Sequence, residues 1–335
     1  MDDSHPSHTA APAALPHPPT HHFGAGAVAL SLLTAALWGG TAVGSAFAMD
    51  ALPPIAVGGL RFALAALFMI GWCQWERSPL WLKPHQWSPS IISGVLLFFQ
   101  IASFNWGQSR TTTSHTSLFI NTYIFWVAAY EHFITRQFRM NARQLAGLFI
   151  AAAGVLLLVS STAAPAKRST GMDTPTLFGD AIMLLSGFIL GVKVIQTKHA
   201  VRTVPPGTLT LWHDVIGVAL FAAYSSAFET IDPSRVNMTT IWSLLFVGLA
   251  VSGFCFAGQA WLLQRHSASL VSVFSFATPV FGVALAVLLR GDALSPWLLA
   301  AGACVAIGIV MVTVRPRPRI QDSGFRIQGS ASQPD

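Results

Sequence analysis

The feature that most constrains this chain is a succession of apolar runs, each about as long as a bilayer is thick. A helix needs about 20 apolar residues to cross the hydrocarbon core, where backbone polar groups find no water and must pair with one another. The runs are continuous rather than alternating, which favours helices over a closed barrel. We predict ten spans, at 26–48, 52–73, 89–108, 115–134, 144–162, 177–197, 206–227, 241–262, 268–290 and 296–314.

The composition agrees with a chain whose surface faces lipid. Only 10% of the 335 residues are charged, whereas soluble proteins carry about 25%. The formal net charge is +6, but the basic residues stand singly or in twos and threes between apolar runs, as at the water-facing ends of membrane spans. We therefore expect an all-α integral membrane protein that is surrounded by the lipid bilayer and does not bind nucleic acid.

Neither the cysteines nor the histidines predict a metal site, and no pattern predicts a cofactor. The three cysteines lie in or beside apolar runs and are expected to be packing residues. The segment 1–25 is rich in His, Pro and Ala and is typical of a disordered tail, whose histidines would bind a metal only weakly. These residues are Cys73, Cys255 and Cys304, and His5, His8, His17, His21 and His22.

The loop charges predict the orientation of the chain. With a cytoplasmic N-terminus, twelve Lys and Arg residues fall on the inner side and five on the outer side. Because the inner loops of membrane proteins are enriched in these residues, we expect both termini in the cytoplasm and the chain in the plasma (inner) membrane.

The two halves of the chain resemble each other. A Leu-Pro-Pro sequence at 52–54 opens the second span, and Val-Pro-Pro at 204–206 opens the seventh, 152 residues later. With five spans in each half, the second half enters the membrane from the opposite side, and such an inverted-topology repeat is typical of secondary transporters. We place the halves at 26–162 and 177–314, a linker at 163–176 and a basic cytoplasmic tail at 315–335.

Three stretches resemble the motifs of a known family. They are Leu-Trp-Gly-Gly at 37–40, Leu-Pro-Pro and Leu-Arg-Phe at 52–54 and 60–62, and Pro-Val-Phe at 279–281 followed by Gly-Asp at 291–292 and Gly308. In this order and spacing they resemble the EamA-type drug/metabolite transporters, which have ten helices in two repeats. The resemblance implies a transporter of metabolites, amino acids or drug-like solutes, with efflux favoured over uptake.

The chain departs from the family pattern at three positions. Phe125 stands where the family usually has proline, and Phe138 where it usually has glutamate. The counterpart of Arg61 in the second half is His213. These departures indicate an outlying branch, so the substrate of a better-known member does not carry over.

Charged side chains within the predicted spans are the first candidates for function. Each costs roughly 2.5–3.5 kcal/mol on insertion scales, so each needs a reason to be there. Lys193 in the sixth span and Asp214 in the seventh lie at similar depth, and we predict that they pair, with His213 beside them. Asp214 is the candidate proton-coupling residue. The alternative is a static ion pair, or a snorkelling Lys193, that only fixes helix packing.

Two further charged positions have competing interpretations. Arg61 either meets an anionic group of the solute, snorkels toward the outer headgroups or clamps backbone carbonyl groups. Glu131 and His132, near the inner end of the fourth span, are expected to face water.

Uncharged polar and aromatic residues are candidates for contact with a solute. Asn105 and Gln259 occupy equivalent positions in the two halves, and Asn121 lies in the middle of the fourth span. Their amides are expected to face the interior, where they either line a cavity or bridge helices. Trp38 either stacks on a substrate ring or packs between helices.

Small residues predict where helices approach closely. Gly39 in the first span aligns with Gly191 in the sixth, and both lie in small-x-x-x-small patterns. Pro279 in the ninth span is expected to bend its helix and to take part in gating. Ordinary tight packing is the alternative for all three.

No catalytic residues are predicted, because the nucleotide-binding, zinc and nucleophile motifs of common enzymes are absent from the sequence. We expect a secondary transporter that moves a small organic solute by alternating access, with proton coupling as one driving force. The alternative is an intramembrane lipid-processing enzyme or a non-transporting scaffold. A homodimer is possible, and the sequence does not determine the oligomeric state.

Overall fold

The structure is a computed structural model that describes residues 23–111, 116, 119–136, 139–161, 176–290 and 296–314. All regular secondary structure in these residues is helical. The predicted tails and the linker lie almost entirely outside the described residues, as do Phe138 and the Gly-Asp sequence at 291–292.

The first half of the chain forms five helical segments. They are α1 (Ala25–Met49), α2 (Pro54–Glu76), α3 (Pro84–Gln108), α4 (Tyr123–Ala129, continued by a π-helix at Tyr130–Thr135) and α5 (Ala142–Ser161). The regular hydrogen bonding of α1 is interrupted at Gly40, which separates Ala25–Gly39 from Thr41–Met49.

The second half begins with α6 (Leu177–Ala200), α7 (Pro206–Phe228) and α8 (Met238–Arg265). Its last two segments are α9, at 268–290, and α10 (Pro296–Thr313). Two of these helices are irregular. Helix α8 contains a π-helix at Phe246–Cys255, and α9 contains a 3₁₀ turn at Phe274–Phe276.

Among the described residues, six helices are long and apolar enough to cross a membrane: α1, α2, α3, α6, α7 and α8. Shorter apolar stretches occur at Ala142–Leu157, Ala268–Gly282 and Leu299–Thr313, within α5, α9 and α10. The predicted all-helical class is therefore confirmed. The count of ten spans stays a prediction.

The starts of the helices follow from local sequence. Proline occupies the first position of α2 and of α7, where its missing N–H costs nothing and its fixed φ suits a helix. Other helices begin after a polar side chain that accepts a backbone hydrogen bond. Thr176 accepts one from Gly179 at 3.0 Å, and Asn237 accepts one from Thr240 at 2.9 Å.

The main packing contacts come in matched sets. We pair α1–α5 in order with α6–α10, as equivalent helices of the two halves. Three equivalent pairs are in direct contact: α2 with α7, α4 with α9 and α5 with α10. The other main contacts also have equivalents. Helix α3 contacts α6 and α7, as α8 contacts α1 and α2, and α4 contacts α6, as α9 contacts α1. The two halves therefore pack against each other in an equivalent way.

Helices α2 and α7 are joined at both ends by carboxylates. Glu76, at the end of α2, accepts a hydrogen bond from the backbone N–H of Gly207 in α7 at 2.8 Å. Glu229, just beyond α7, accepts hydrogen bonds from the N–H groups of Ile55 at 2.9 Å and Ala56 at 2.8 Å, at the start of α2. Each helix start thus receives a negative charge, which its dipole favours, and the two helices run antiparallel.

The small residues predicted to allow close approach lie at helix crossings. A Cβ atom on Gly39 would lie 2.8 Å from the backbone N of Gly282 and 2.8 Å from the carbonyl O of Thr278, both on α9. A Cβ atom on Gly191 would lie 3.1 Å from the Cβ of Trp126 on α4. The α1–α9 crossing therefore brings two backbones into contact.

Pro279 is buried and lies in the first turn after the 3₁₀ segment of α9. Proline cannot donate the hydrogen bond that would continue a regular helix through this point. Helix α4 is preceded by a turn at the equivalent position, Asn121 and Thr122, although Phe125 stands where Pro279 does. The interruption thus occurs in both halves and does not depend on proline alone.

We expect Gly39→Ala to destabilise the protein by about 1–3 kcal/mol, because the added methyl group meets backbone atoms that cannot move aside. The measurement is the thermal unfolding midpoint in detergent. The control is Gly26→Ala on the same helix, since a Cβ atom there has nothing within 4 Å. Equal stability of the two variants would contradict the close backbone contact.

Candidate functional site

Three helices contribute buried ionisable side chains to one region. Arg61 of α2 is 2% exposed, Lys193 of α6 is 3% exposed, and Asp214 of α7 is fully buried. His213 lies next to Asp214 in the chain and is also buried. The three charges interact electrostatically, so the predicted charged residues of the second, sixth and seventh spans do come together.

Asp214 has few direct partners. Its Oδ1 lies 2.8 Å from Nδ1 of His213, but the angles do not make a hydrogen bond, and that Nδ1 faces the carbonyl O of Thr210 at 3.3 Å. Among the described residues, neither carboxylate oxygen of Asp214 has a hydrogen-bond partner. A buried carboxylate without donors is costly in this environment, which makes the residue a candidate for protonation.

The direct ion pair expected between Lys193 and Asp214 is not formed among the described residues. The ammonium Nζ of Lys193 lies 3.9 Å from the ring centroid of Phe256, in a cation–π contact. The physical reason is that Phe256 of α8 packs over the end of the lysine side chain. Lys193 and Asp214 therefore attract each other across a distance rather than in contact.

Arg61 faces the protein interior and does not snorkel. Its Nε donates a hydrogen bond to Oγ of Ser252 on α8 at 2.8 Å, and its guanidinium lies 5.1 Å from the ring centroid of Phe62. Its Nη1 is buried and has no hydrogen-bond partner in the part of the chain that the structure describes. This leaves one strong donor of Arg61 unused.

Aromatic rings surround this group of charges. The ring of Phe256 lies 5.7 Å from Phe62, 5.8 Å from His213 and 6.0 Å from Trp38, centroid to centroid. Trp38 therefore belongs to the aromatic layer, and it reaches the charges through Phe256. Ser252 and Phe256 are not among the residues predicted from the sequence, because neither residue type is unusual in an apolar span.

A small cavity lies beside the charges. Its walls include Ser93 of α3, Lys193 of α6, His213 of α7, and Phe256 and Gln259 of α8. Its volume is about 20 Å³, which is enough for a single water molecule. The cavity is therefore too small for a metabolite, which fits only if the helices around it move apart.

The predicted polar residues differ in their surroundings. Gln259 lines the cavity. Asn105, its counterpart in the first half, donates from Nδ2 to the carbonyl O of Pro54 at 2.8 Å and so bridges α3 to the start of α2. Asn121 is buried in the turn before α4. The cavity-lining role thus fits Gln259, and the bridging role fits Asn105.

A second polar group lies where α4, α6, α8 and α9 meet. Glu131 was expected to face water, but it is 3% exposed and accepts hydrogen bonds from the backbone N–H groups of Ala268 at 2.7 Å and Ser269 at 2.9 Å. Lys198 donates to the carbonyl groups of Leu263, near the end of α8, at 2.7 Å and of His266, just beyond it, at 2.6 Å. Opposite charges thus cap both sides of the α8–α9 junction.

The sequence profile of the EamA-like transporter family matches this chain twice, at residues 25–160 and 177–314. The chain belongs to the EamA-like transporter family. The resemblance inferred from the sequence motifs, to EamA-type drug/metabolite transporters, is therefore confirmed.

Similar proteins agree with this assignment. The chain is 25% identical over 279 residues to an uncharacterized transporter of Bacillus subtilis (strain 168), and the alignment covers 83% of this chain and 93% of that protein. It is 26% identical over 307 residues to a probable amino-acid metabolite efflux pump of Salmonella typhimurium, covering 90% and 96%. It is also 22% identical over 291 residues to an S-adenosylmethionine/S-adenosylhomocysteine transporter of Chlamydia trachomatis, covering 85% and 88%.

Solved structures share the fold, among them a crystal structure with a TM-score of 0.71 and 18% sequence identity that covers 85% of this chain and 95% of its own. Together with the long apolar helices, the family assignment makes this EamA-like chain a multi-pass integral membrane protein and a membrane transporter. The names of its relatives point to transport and not to catalysis.

We expect Glu131→Gln to lower stability by roughly 1.5–3 kcal/mol, because the charged acceptor at the start of α9 is replaced by a neutral amide. The unfolding midpoint in detergent measures this. Asp50→Asn serves as the control, since Asp50 is exposed. A midpoint for Glu131→Gln as high as that of the control would mean that the two hydrogen bonds contribute little.

Proposed function

We propose that this chain is a secondary transporter that moves a small organic metabolite, amino acid or drug-like solute by alternating access. We place it in the plasma (inner) membrane, with ten spans in two inverted repeats and both termini in the cytoplasm. The direction that we favour is efflux.

The observation that carries this proposal is the antiparallel pairing of equivalent helices. Helix α2 corresponds to α7 in the repeat, yet the two run in opposite directions, with Glu76 at one end of the pair and Glu229 at the other. Helices α5 and α10 also run antiparallel, because Gly147 near the start of α5 faces Gly308 near the end of α10. Two halves with opposite orientation can exchange inward-open and outward-open shapes at similar energy.

The position of the buried charges supports a solute pathway between the halves. Arg61 comes from the first half, while Lys193, His213 and Asp214 come from the second. Intramembrane ionisable residues of this kind mark substrate and proton pathways. The cavity beside them has room for about one water, so a solute binds there only after the surrounding helices separate.

The names of the relatives support the substrate class and the direction. The Salmonella typhimurium protein is a probable amino-acid metabolite efflux pump, and the Chlamydia trachomatis protein carries S-adenosylmethionine and S-adenosylhomocysteine. Both solutes are small organic metabolites. The test is solute flux into or out of proteoliposomes that contain the purified protein, with empty liposomes as the reference. Turnover of a lipid without solute flux would instead favour a lipid-processing enzyme.

We propose Asp214 as the residue that couples transport to a proton. It is fully buried, its carboxylate lacks hydrogen-bond donors among the described residues, and two cations lie within electrostatic reach. Gain or loss of a proton there changes the balance of charge between α2, α6 and α7, and so changes how strongly these helices attract one another.

We expect Asp214→Asn to abolish the pH dependence of flux in proteoliposomes, because the amide cannot exchange a proton. The solute is the one that gives the largest thermal shift in a screen of the wild-type protein. Asp232→Asn, at an exposed loop position, should keep the wild-type pH profile. If Asp214→Asn keeps that profile as well, coupling through Asp214 is rejected.

A further inference from the structure

The buried charges of the described residues do not balance. Five ionic side chains are buried in this part of the chain: Arg61, Lys193, Lys198, Glu131 and Asp214. Glu131 and Lys198 interact with each other near the α8–α9 junction and cancel. The group at the cavity, by contrast, contains two cations and one carboxylate.

This excess does not depend on where one proton resides. If Lys193 holds the proton and Asp214 is ionised, the sum of the three groups is +1. If the proton moves from Lys193 to Asp214, Arg61 alone is charged, and the sum is again +1. With His213 neutral, the group keeps one positive charge as long as it retains that proton, and the described interior supplies no counter-ion for it. Only release of the proton to water would leave Arg61 and Asp214 balanced.

Such a charge is expensive to keep in an apolar layer, so a missing partner is expected to be an anion. The contacts of the two cations also indicate where an anion would bind. The Nη1 of Arg61 is a buried donor without an acceptor, and the ammonium of Lys193 rests on Phe256 instead of on a carboxylate. Both cations therefore have capacity for a negatively charged ligand.

The neighbouring surface indicates what else the ligand carries. Phe62, Phe256 and Trp38 form an aromatic wall next to Arg61 and Lys193. Aromatic faces hold flat, apolar bodies well. Gln259 adds a neutral polar contact on the cavity side.

Building on the proposed transport function, we propose that the solute is an organic monoanion, with a carboxylate-like group that meets Arg61 and Lys193 and an apolar or aromatic body that packs against Phe62 and Phe256. Arg61 donates from its free Nη1, and Lys193 leaves the ring of Phe256 to share the anion. The solute enters when α3, α6, α7 and α8 separate at the cavity.

A cationic solute fits this site poorly, because it would add a third positive charge opposite a single carboxylate. A zwitterion would place its ammonium at Asp214 and its carboxylate at Arg61, and it would leave the excess charge in place. These two classes are therefore the competing outcomes of the test.

The first experiment compares ligands that share a ring and differ in charge. Thermal unfolding of the detergent-purified wild-type protein is followed with benzenesulfonate and benzoate, benzylamine, neutral benzamide and zwitterionic phenylalanine. We expect a saturable rise in the unfolding midpoint with the two anions and at least a tenfold weaker apparent affinity for the others. An equal or larger shift with benzylamine, benzamide or phenylalanine overturns the proposal, and so does the absence of any shift with both anions.

The second experiment removes each cation in turn. Arg61→Gln and Lys193→Met should each weaken benzenesulfonate binding at least tenfold. Arg235→Gln, an exposed arginine at the outer surface, should leave it unchanged. If Arg61→Gln does not fold, Lys193→Met alone tests the proposal. It removes one cation and leaves Arg61 and Asp214, whose charges sum to zero. Unchanged anion affinity in the folded variants contradicts the assignment.

Flux separates this proposal from the one on which it rests. Benzenesulfonate is permanently ionised and crosses empty liposomes slowly, so its uptake into proteoliposomes reports the protein. Binding of benzenesulfonate without flux of any solute would reject transport and keep the anion site. Flux of a neutral or cationic solute, with no binding or competition by the anions, would keep transport and reject the anion site.

Discussion

The start of a helix exposes backbone N–H groups that need acceptors, and in a protein surrounded by lipid those acceptors must come from the protein itself. Three glutamates of this chain meet that need across helix pairs. Glu76 serves the start of α7, Glu229 the start of α2, and Glu131 the start of α9. Each joins the end of one helix to the beginning of another, so these bonds fix both the direction and the register of the packing. A helix in such a pair cannot slide or tilt far without exchanging one of these bonds for another.

The helical class and the proximity of Lys193 to Asp214 could be predicted from the sequence, because long apolar runs indicate helices and a rise of about 1.5 Å per residue places the two residues at similar heights. The partners of those residues could not. Ser252 and Phe256 lie in or just after the π-helix Phe246–Cys255, whose wider turn changes the direction in which later side chains point. A count of residues along α8 assumes a regular helix, so it gives no means of placing Phe256 over Lys193. Glu131 was also misjudged, since its acceptor role depends on the start of α9, more than 130 residues away in the chain.

The two halves are equivalent in packing and different in chemistry. Asn105 and Gln259 occupy the same place in the repeat, yet one bridges α3 to the start of α2 and the other lines the cavity. Arg61 of α2 corresponds to His213 of α7, which carries no permanent charge. In the proposed inverted repeat, the equivalent helices determine the shape of the pathway. The residues that differ between the halves determine its charge. The group of buried charges is correspondingly uneven, because the first half contributes Arg61 and the second half contributes Lys193 and Asp214.

Where the protein can open follows from how closely its helices pack. At the crossing of α1 with α9, Gly39 brings the backbones together, and Gly147 and Gly308 do the same for α5 with α10. Backbone atoms in contact leave no side chain to rearrange, so we infer that these pairs move as rigid units. The walls of the cavity between α3, α6, α7 and α8 are instead made of side chains such as Lys193 and Phe256, which can change rotamer. The contact of Lys193 with Phe256 closes one wall of the cavity. If Lys193 leaves Phe256 to bind an anion, that wall opens, so binding of the solute and the first opening movement would be the same event.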